Sequence, residues 1–429
     1  MEEHILETLY PLYFRKNDAT LLGKDIQTGH SIILVGMKRV GISNFLRFFL
    51  YHEQITPTYI NDKKNHVFIP VNLNDLVERE LFPFWILLFK RIVDATEPLN
   101  LKTETKKEIE NLFLQSIQLN DQFLLIENIR KSLSKIIEQN IIPTIFLIRF
   151  DRMQNTASDN LFANLRGLQD FLHNQVSFVI TCYRPLQNLL PDLDKTTLNG
   201  FTKTFFLQPS THADQKILLE TYALRYSLSL NETEKNTLVD LSGGHIRLLQ
   251  LMLILLHEKP LLKKADLLSH FLKDERIQLQ CEELWESLTA KEQQLLKTIA
   301  EEATKPLKVE TPNYLLDTGF IINKDSGYQI FSPLFENYVK SKSESVPLVE
   351  TTIEFTKKEL ALFKFLQKNI NQVCERDQII EAVWTDEEEA LEVSDWAMDR
   401  LVARVRAKLK KQNSPQEILT IRTRGYKLI

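Results

Sequence analysis

The sequence predicts a multidomain chain of the α/β plus α class, with a parallel α/β/α core ahead of a helical bundle and two helix–helix–hairpin units. Three observations carry this. At 429 residues the chain is too long for one ordinary core and suggests two to four domains. Its hydrophobic content of 43% and charged content of 26% are those of a folded globular chain. Short apolar runs alternate with helical patterns up to about residue 210 and then stop, which is the order of a sheet covered by helices followed by an all-helical segment.

Ser31–Gly36 is an apolar run ending in glycine, and a helical pattern over Asn44–Tyr51 follows it. A buried strand, a loop and a helix are expected there. Val67–Leu73, Thr144–Phe150 and Val176–Thr181 are further strand candidates, with helices such as Phe84–Ala95 and Lys106–Gln139 between them. Beyond Thr211, the stretches Ala213–Tyr226, Asn231–Ser242, His245–His257 and Lys264–Lys273 read as a small bundle. Thr289 and Glu292 make a Thr-x-x-Glu cap on a helix running to about Glu302. Tyr314–Thr318, a turn at Gly319, and strands Phe320–Lys324 and Tyr328–Phe331 complete that unit. Ser341–Pro347 is the best linker.

Thr356 and Glu359 repeat the capping pattern, a second helix spans Arg376–Trp384, and an acidic loop follows at Asp386–Glu389. A third helix starts at Ser394 and runs to about Lys410. Within it Met398, Val402, Val405 and Leu409 recur at helical spacing and face the core, leaving Trp396, Arg400, Ala403, Arg404 and Ala407 outside. Ile418–Leu428 closes the chain as a hairpin with Gly425 at its turn. The expected boundaries are 1–210 for the core, 211–278 for the bundle, 279–340 and 350–429 for the two hairpin units, and 341–349 for the linker.

The net charge of −4 gives the whole chain no general affinity for nucleic acid, so any such surface is local. One is present. From Arg400 to Ile429 there are nine Lys or Arg and one acid, Glu417, a surplus of eight in 30 residues. A helix presenting Arg400 and Arg404 can enter a major groove. A hairpin carrying Arg422 and Arg424 can reach the adjacent minor groove. Lys408, Lys411 and Lys427 add phosphate-contacting charge, and double-stranded DNA is the expected partner.

Other chemistry is excluded or thinly supported. Cys182, Cys281 and Cys374 are scattered singly, without metal-ligand spacing or a disulfide framework, as in a reducing compartment. The nine histidines show no metal motif, and no Gly-x-Ser-x-Gly elbow is present. The start lacks a secretory leader, and the longest apolar runs are about half the ~20 residues of a membrane span. A cytoplasmic location is expected.

The loop after the first strand reads Gly36-Met37-Lys38-Arg39-Val40-Gly41-Ile42-Ser43. It carries both glycines and the hydroxyl of a P-loop, where backbone amides surround phosphates and a lysine reaches the β/γ oxygens. Ile42 stands in the lysine's place. The third strand ends in Asp151, where a metal-binding acid is expected, and Arg152 follows where an acid would orient water. Thr181 is a sensor candidate on the fourth strand. Ser242-Gly243-Gly244-His245-Ile246-Arg247 resembles the Gly-Gly-x-Pro-Arg lid segment of STAND-type and Orc/Cdc6-like AAA+ ATPases. This resemblance implies a P-loop-type core, a helical lid and a winged helix over the first ~340 residues, with Arg247 as a second sensor. Losing the lysine and the acid removes charge stabilisation and water orientation, so efficient hydrolysis is not expected. Lys38 or Arg39 could replace part of the lysine's charge. ATP or ADP with Mg²⁺, the ion held by Ser43 and Asp151, is the implied cofactor. Binding without turnover and a vestigial scaffold for oligomerisation both stand as readings.

Residues Phe355–Glu359, Arg376–Trp384, Val393–Asp395, Asp399, Arg404–Leu409 and Ile421–Leu428 together resemble the OmpR/PhoB-type winged helix of bacterial response regulators, over about 80 residues. The resemblance implies Ser394–Lys410 as recognition helix and Thr420–Leu428 as wing. The usual Arg-Thr pair early in that helix is Trp396-Ala397 here. Trp396 either contacts a thymine methyl or packs on a neighbouring domain. The expected function is a DNA-binding transcriptional regulator with a damaged nucleotide-binding or oligomerisation module. The alternatives are a STAND/Orc-like switch NTPase and an incomplete-site subunit that pairs with an intact ATPase. The Asp386–Glu389 loop is a solvated loop or a contact for RNA polymerase.

Overall fold

The computed structural model describes residues 5–60, 62, 64–190, 192–194, 198, 200–259, 267–301, 313–324, 327–343, 355–383, 395–412, 414–421 and 425–429. The chain divides into two compact units, 1–344 and 345–429.

The first unit is built on five parallel strands, β1 (Ser31–Val35), β2 (Asn65–Asn72), β3 (Ile141–Ile148), β4 (Ser177–Cys182) and β5 (Thr202–Phe206), in the order β2-β3-β4-β1-β5. Every residue of β1 and β4 is buried, which is why both read as unbroken apolar runs rather than alternating ones. Ile32 and Leu34 enter one core, with Phe45, Phe48 and Phe49 of the following helix. Ile33 and Val35 enter the other, with Trp85 and Leu165. Helices thus cover both faces, and β1 lies where the strand order reverses. The crevice beyond its carboxyl end is where ligands bind in open α/β sheets.

Four strands fall where the apolar runs place them. The fifth, β5, is an edge strand with exposed Lys203 and Thr204, so it carries no apolar run to betray it. The long pattern over Lys106–Gln139 resolves into two helices, Thr103–Leu119 and Gln122–Ile137. Asn120 in the left-handed region (φ +50°) ends the first, and the Asp121 side chain accepts the Leu124 N–H to start the second (2.8 Å).

The bundle follows as His212–Arg225, Glu232–Ser242, Ile246–Glu258 and Leu267–Lys273, with Asn231 and Glu234 forming a capping box. A further helix, Glu275–Glu286, was not expected. Then come Ala290–Glu301, Asn313–Asp317, the antiparallel pair Ile321–Lys324 and Gly327–Ile330, and Pro333–Ser343. The last helix occupies the first three residues of the expected linker. One continuous apolar core joins the sheet face to Leu248 and Met252 of the bundle and to Phe320, Phe331 and Phe335 of the hairpin unit.

A buried ion pair locks this hairpin unit to the sheet. Arg184, two residues past β4, forms a two-pronged pair with Glu292, both side chains 7% exposed. Its guanidinium also lies over the Tyr314 ring (4.2 Å), whose hydroxyl donates to the Tyr183 carbonyl (2.8 Å).

The second unit packs helices Lys357–Lys368, Arg376–Val383 and Asp395–Lys411 around Leu362, Leu366, Met398, Val402, Val405 and Leu409. Thr356 and Glu359 form the expected capping box. The closing strands, Ile418–Ile421 and Gly425–Leu428, pair antiparallel. A third short strand, Cys374–Glu375, joins them. Gly425 is not at the turn: it opens the last strand opposite Glu375 and Ile421. A Cβ there would sit 2.0 Å from the Cys374 carbonyl oxygen, so close strand approach explains this glycine. Residues 422–424 lie outside the described residues.

Candidate functional site

The loop from β1 to the helix Ile42–Tyr51 makes one wall of a cavity of about 370 Å³. Val40 N–H turns back to the Met37 carbonyl (3.1 Å), and Phe45 N–H makes the first helical bond, to Gly41 (2.9 Å). The amides of Ile42, Ser43 and Asn44 therefore have no acceptor within the helix, the arrangement that favours anions. Arg39 (φ +64°) and Arg149 (φ +65°) both adopt the left-handed region beside the cavity, a strain that side chains other than glycine tolerate only where surroundings enforce it.

All eight residues named from the sequence for nucleotide line this one cavity: Gly36, Lys38, Arg39, Gly41, Ser43, Asp151, Thr181 and Arg247. Sequence reasoning missed Arg47, Arg149, Tyr183 and Glu283, which line it too. Arg47 is one turn along the helix from Ser43, so helical spacing could have found it. Glu283 lies on the unexpected helix and gave no such signal. Arg152 does not line the cavity.

Each charged group has a defined setting. Lys38 Nζ lies over the Tyr183 ring, 4.7 Å from its centre. Arg39 Nε donates to Glu283 (3.3 Å). Arg47 pairs with the buried carboxylate of Glu7 (2.5 Å). The Arg149 backbone N–H donates to Thr181 Oγ1 (2.9 Å), tying the end of β3 to β4. The Arg149 guanidinium faces Asp151 (3.4 Å). Burial lowers the Arg247 pKa, and the nearby Arg39 charge lowers it further.

The segment Ser242–Arg247 packs on the loop through His245 and Ile246. A Cβ on Gly41 would come within 2.3 Å of Ile246 Cδ1, and the φ of +123° there favours glycine as well. His245 is fully buried. Its Nδ1 accepts the Leu248 N–H (3.3 Å), capping the helix Ile246–Glu258. Its Nε2 must then be the protonated nitrogen of the neutral ring, and it donates to the Lys38 carbonyl (2.9 Å). Burial holds the imidazole pKa down to about 4.

In the second unit the basic helix is partly engaged internally. Lys408 donates to Glu359 (2.5 Å), and Arg404 lies 3.9 Å from the same carboxylate. Burial alone would raise the Glu359 pKa; the bonds from Lys408 and from the Thr356 N–H outweigh that and lower it. Arg406 ties the helix to the hairpin through the Ile418 carbonyl (2.7 Å) and Thr420 (2.8 Å). Arg376 and Tyr426 both bond Asp399. Arg400 and Lys427 are half-exposed, while Ala403, Ala407 and Lys410 are exposed on the helix Asp395–Lys411. Small side chains on that outer face let a helix approach a groove closely. The side chains of Trp396 and Lys411, and residues Arg422 and Arg424, lie outside the described residues.

Among the described residues no group of three or more His, Cys, Asp or Glu could hold a metal ion. Among them, too, no helix is long and apolar enough to cross a membrane.

Residues 350–428 match the family model for the C-terminal domain of transcriptional regulatory proteins. No curated protein matches the chain. Among solved structures it is similar to a Walker-type ATPase of Pyrococcus abyssi, at 15% identity and a TM-score of 0.46, over 78% of this chain and 100% of that one. It is similar also to the Orc2 protein of Aeropyrum pernix, at 14% identity and a TM-score of 0.41, over 80% and 98%. For RuvB of Thermotoga maritima the values are 13% and 0.34, over 79% and 96%. The unit that ends the chain, three helices with a three-stranded sheet, is thus a winged-helix domain of the transcriptional regulatory C-terminal family.

Proposed function

We propose that this protein is a DNA-binding transcriptional regulator whose N-terminal unit binds a phosphorylated nucleotide without efficient hydrolysis. One observation carries the first half: the family match falls on the same residues that hold eight surplus positive charges in 30. The second half rests on the convergence of all eight sequence-named residues on one cavity at the sheet's reversal point. Ile42 and Arg152 stand where a lysine and an acid would supply the chemistry of phosphoryl transfer, so occupancy rather than turnover is the signal. Arg400, Lys427, Arg422 and Arg424 are the proposed DNA contacts. Arg404 and Lys408 divide their charge between DNA and Glu359.

The test is fluorescence-anisotropy binding of the full-length chain to its own upstream DNA across a salt series. Removing two phosphate contacts with the double variant Arg422→Ala/Arg424→Ala should reduce the slope of log K against log salt by about two. An unchanged slope removes the hairpin from the interface, and no binding at low salt removes the DNA-binding reading.

A further inference from the structure

We infer that the cavity takes its polyphosphate ligand free of any divalent metal, with Arg149 supplying the charge that Mg²⁺ would otherwise bring; this rests on the nucleotide reading above. Five cations line the cavity, Lys38, Arg39, Arg47, Arg149 and Arg247, against two carboxylates, Asp151 and Glu283. Counting the Glu7 carboxylate that pairs with Arg47, the surplus is two positive charges around one cavity, the composition of a site for a polyanion.

The metal implied by the loop fits these residues poorly. Its two expected protein ligands are Ser43 and Asp151, and Asp151 already has the Arg149 guanidinium at 3.4 Å. A second acid next to Asp151 is replaced by Arg152. Mg²⁺ would have to enter a region already positive and displace an arginine from the carboxylate it needs. A metal-free phosphate chain meets the opposite situation. Arg149, 45% exposed, need only rotate from Asp151 to phosphate. The neighbouring amides at the start of the helix Ile42–Tyr51 complete the cradle.

Metal on the ligand then works against binding. Mg²⁺ cancels two of the charges of a triphosphate and so weakens its attraction to the surplus. The experiment is calorimetric titration of the full-length chain with ATP and with inorganic pyrophosphate, in EDTA and in excess MgCl₂ at matched ionic strength. Binding should be about tenfold tighter in EDTA, the low end for one charge-assisted contact. Asp151→Asn should bind at least as tightly as wild type in EDTA, because the repelling carboxylate is gone and Arg149 is released. Arg149→Ala should lose about tenfold there.

If ATP binds only with Mg²⁺, or Asp151→Asn abolishes binding, the metal-free site is refuted while the nucleotide reading stands. Equal affinity in the two buffers also refutes it. No binding of either probe in either buffer removes both readings together.

Discussion

His245 gives the first unit a measurable response to acid. The imidazole is fully buried, accepts one backbone N–H and donates to the Lys38 carbonyl. Protonating Nδ1 would place two donors face to face at the helix start. The folded pKa of about 4 lies below the ~6.5 of an unfolded histidine, so the unfolded chain binds the proton first. The associated stability is fully present above pH 6.5 and is lost as pH falls from there through 4. Linkage puts the loss at about 2 kcal/mol by pH 5 and about 3 kcal/mol once pH is below 4. With a denaturant dependence of roughly 2 kcal/mol/M, the urea midpoint should fall by about 1 M between pH 7 and 5. Carboxylates titrate over part of this range, so the assay is the difference between wild type and His245→Asn, read by circular dichroism at each pH. Asparagine keeps a helix cap and removes the titrating group. A difference that stays flat from pH 7 to 5 would refute this account of the imidazole.

Two further outcomes follow from the geometry. Glu292→Gln preserves shape and the cap on the helix Ala290–Glu301 but leaves the Arg184 charge buried without its partner; unfolding of the first unit should be easier by about 3 kcal/mol, and a thermal midpoint within a degree of wild type would contradict it. Ile42→Lys adds a sixth cation to the cavity wall and should tighten pyrophosphate binding about tenfold, while phosphate release from ATP stays at background because Arg152 still occupies the acid's place; appreciable turnover would show that the lysine alone was limiting.

The sheet interior was legible because strands buried on both faces must be apolar throughout, as β1 and β4 are. The edge strand β5 escaped because an edge tolerates lysine and threonine. Helix Glu275–Glu286 escaped because its apolar positions are sparse among five charged residues. The loop residues of the cavity were legible because two glycines and a hydroxyl stand there at a fixed, recognisable spacing. Arg149 and Glu283 were not, because their place is set by β3–β4 pairing and by how the bundle folds back, which no local pattern records. In the C-terminal domain, spacing identified Met398, Val402, Val405 and Leu409 as core. It did not show that Lys408 and Arg404 answer to Glu359, a residue from another helix.

The groups that line the cavity differ in how firmly they are held. Tyr183, under Lys38, is joined by a single peptide bond to Arg184, which cannot yield without exposing a buried charge, and Tyr314 braces both. That side is a splinted wall. Arg39 and Arg149, with side chains 37% and 45% exposed, face carboxylates that line the same cavity, whereas Arg47 is held by the buried Glu7. On the nucleotide reading proposed above, a braced wall with exposed guanidinium groups beside it sorts ligands by how much negative charge they carry more than by their outline.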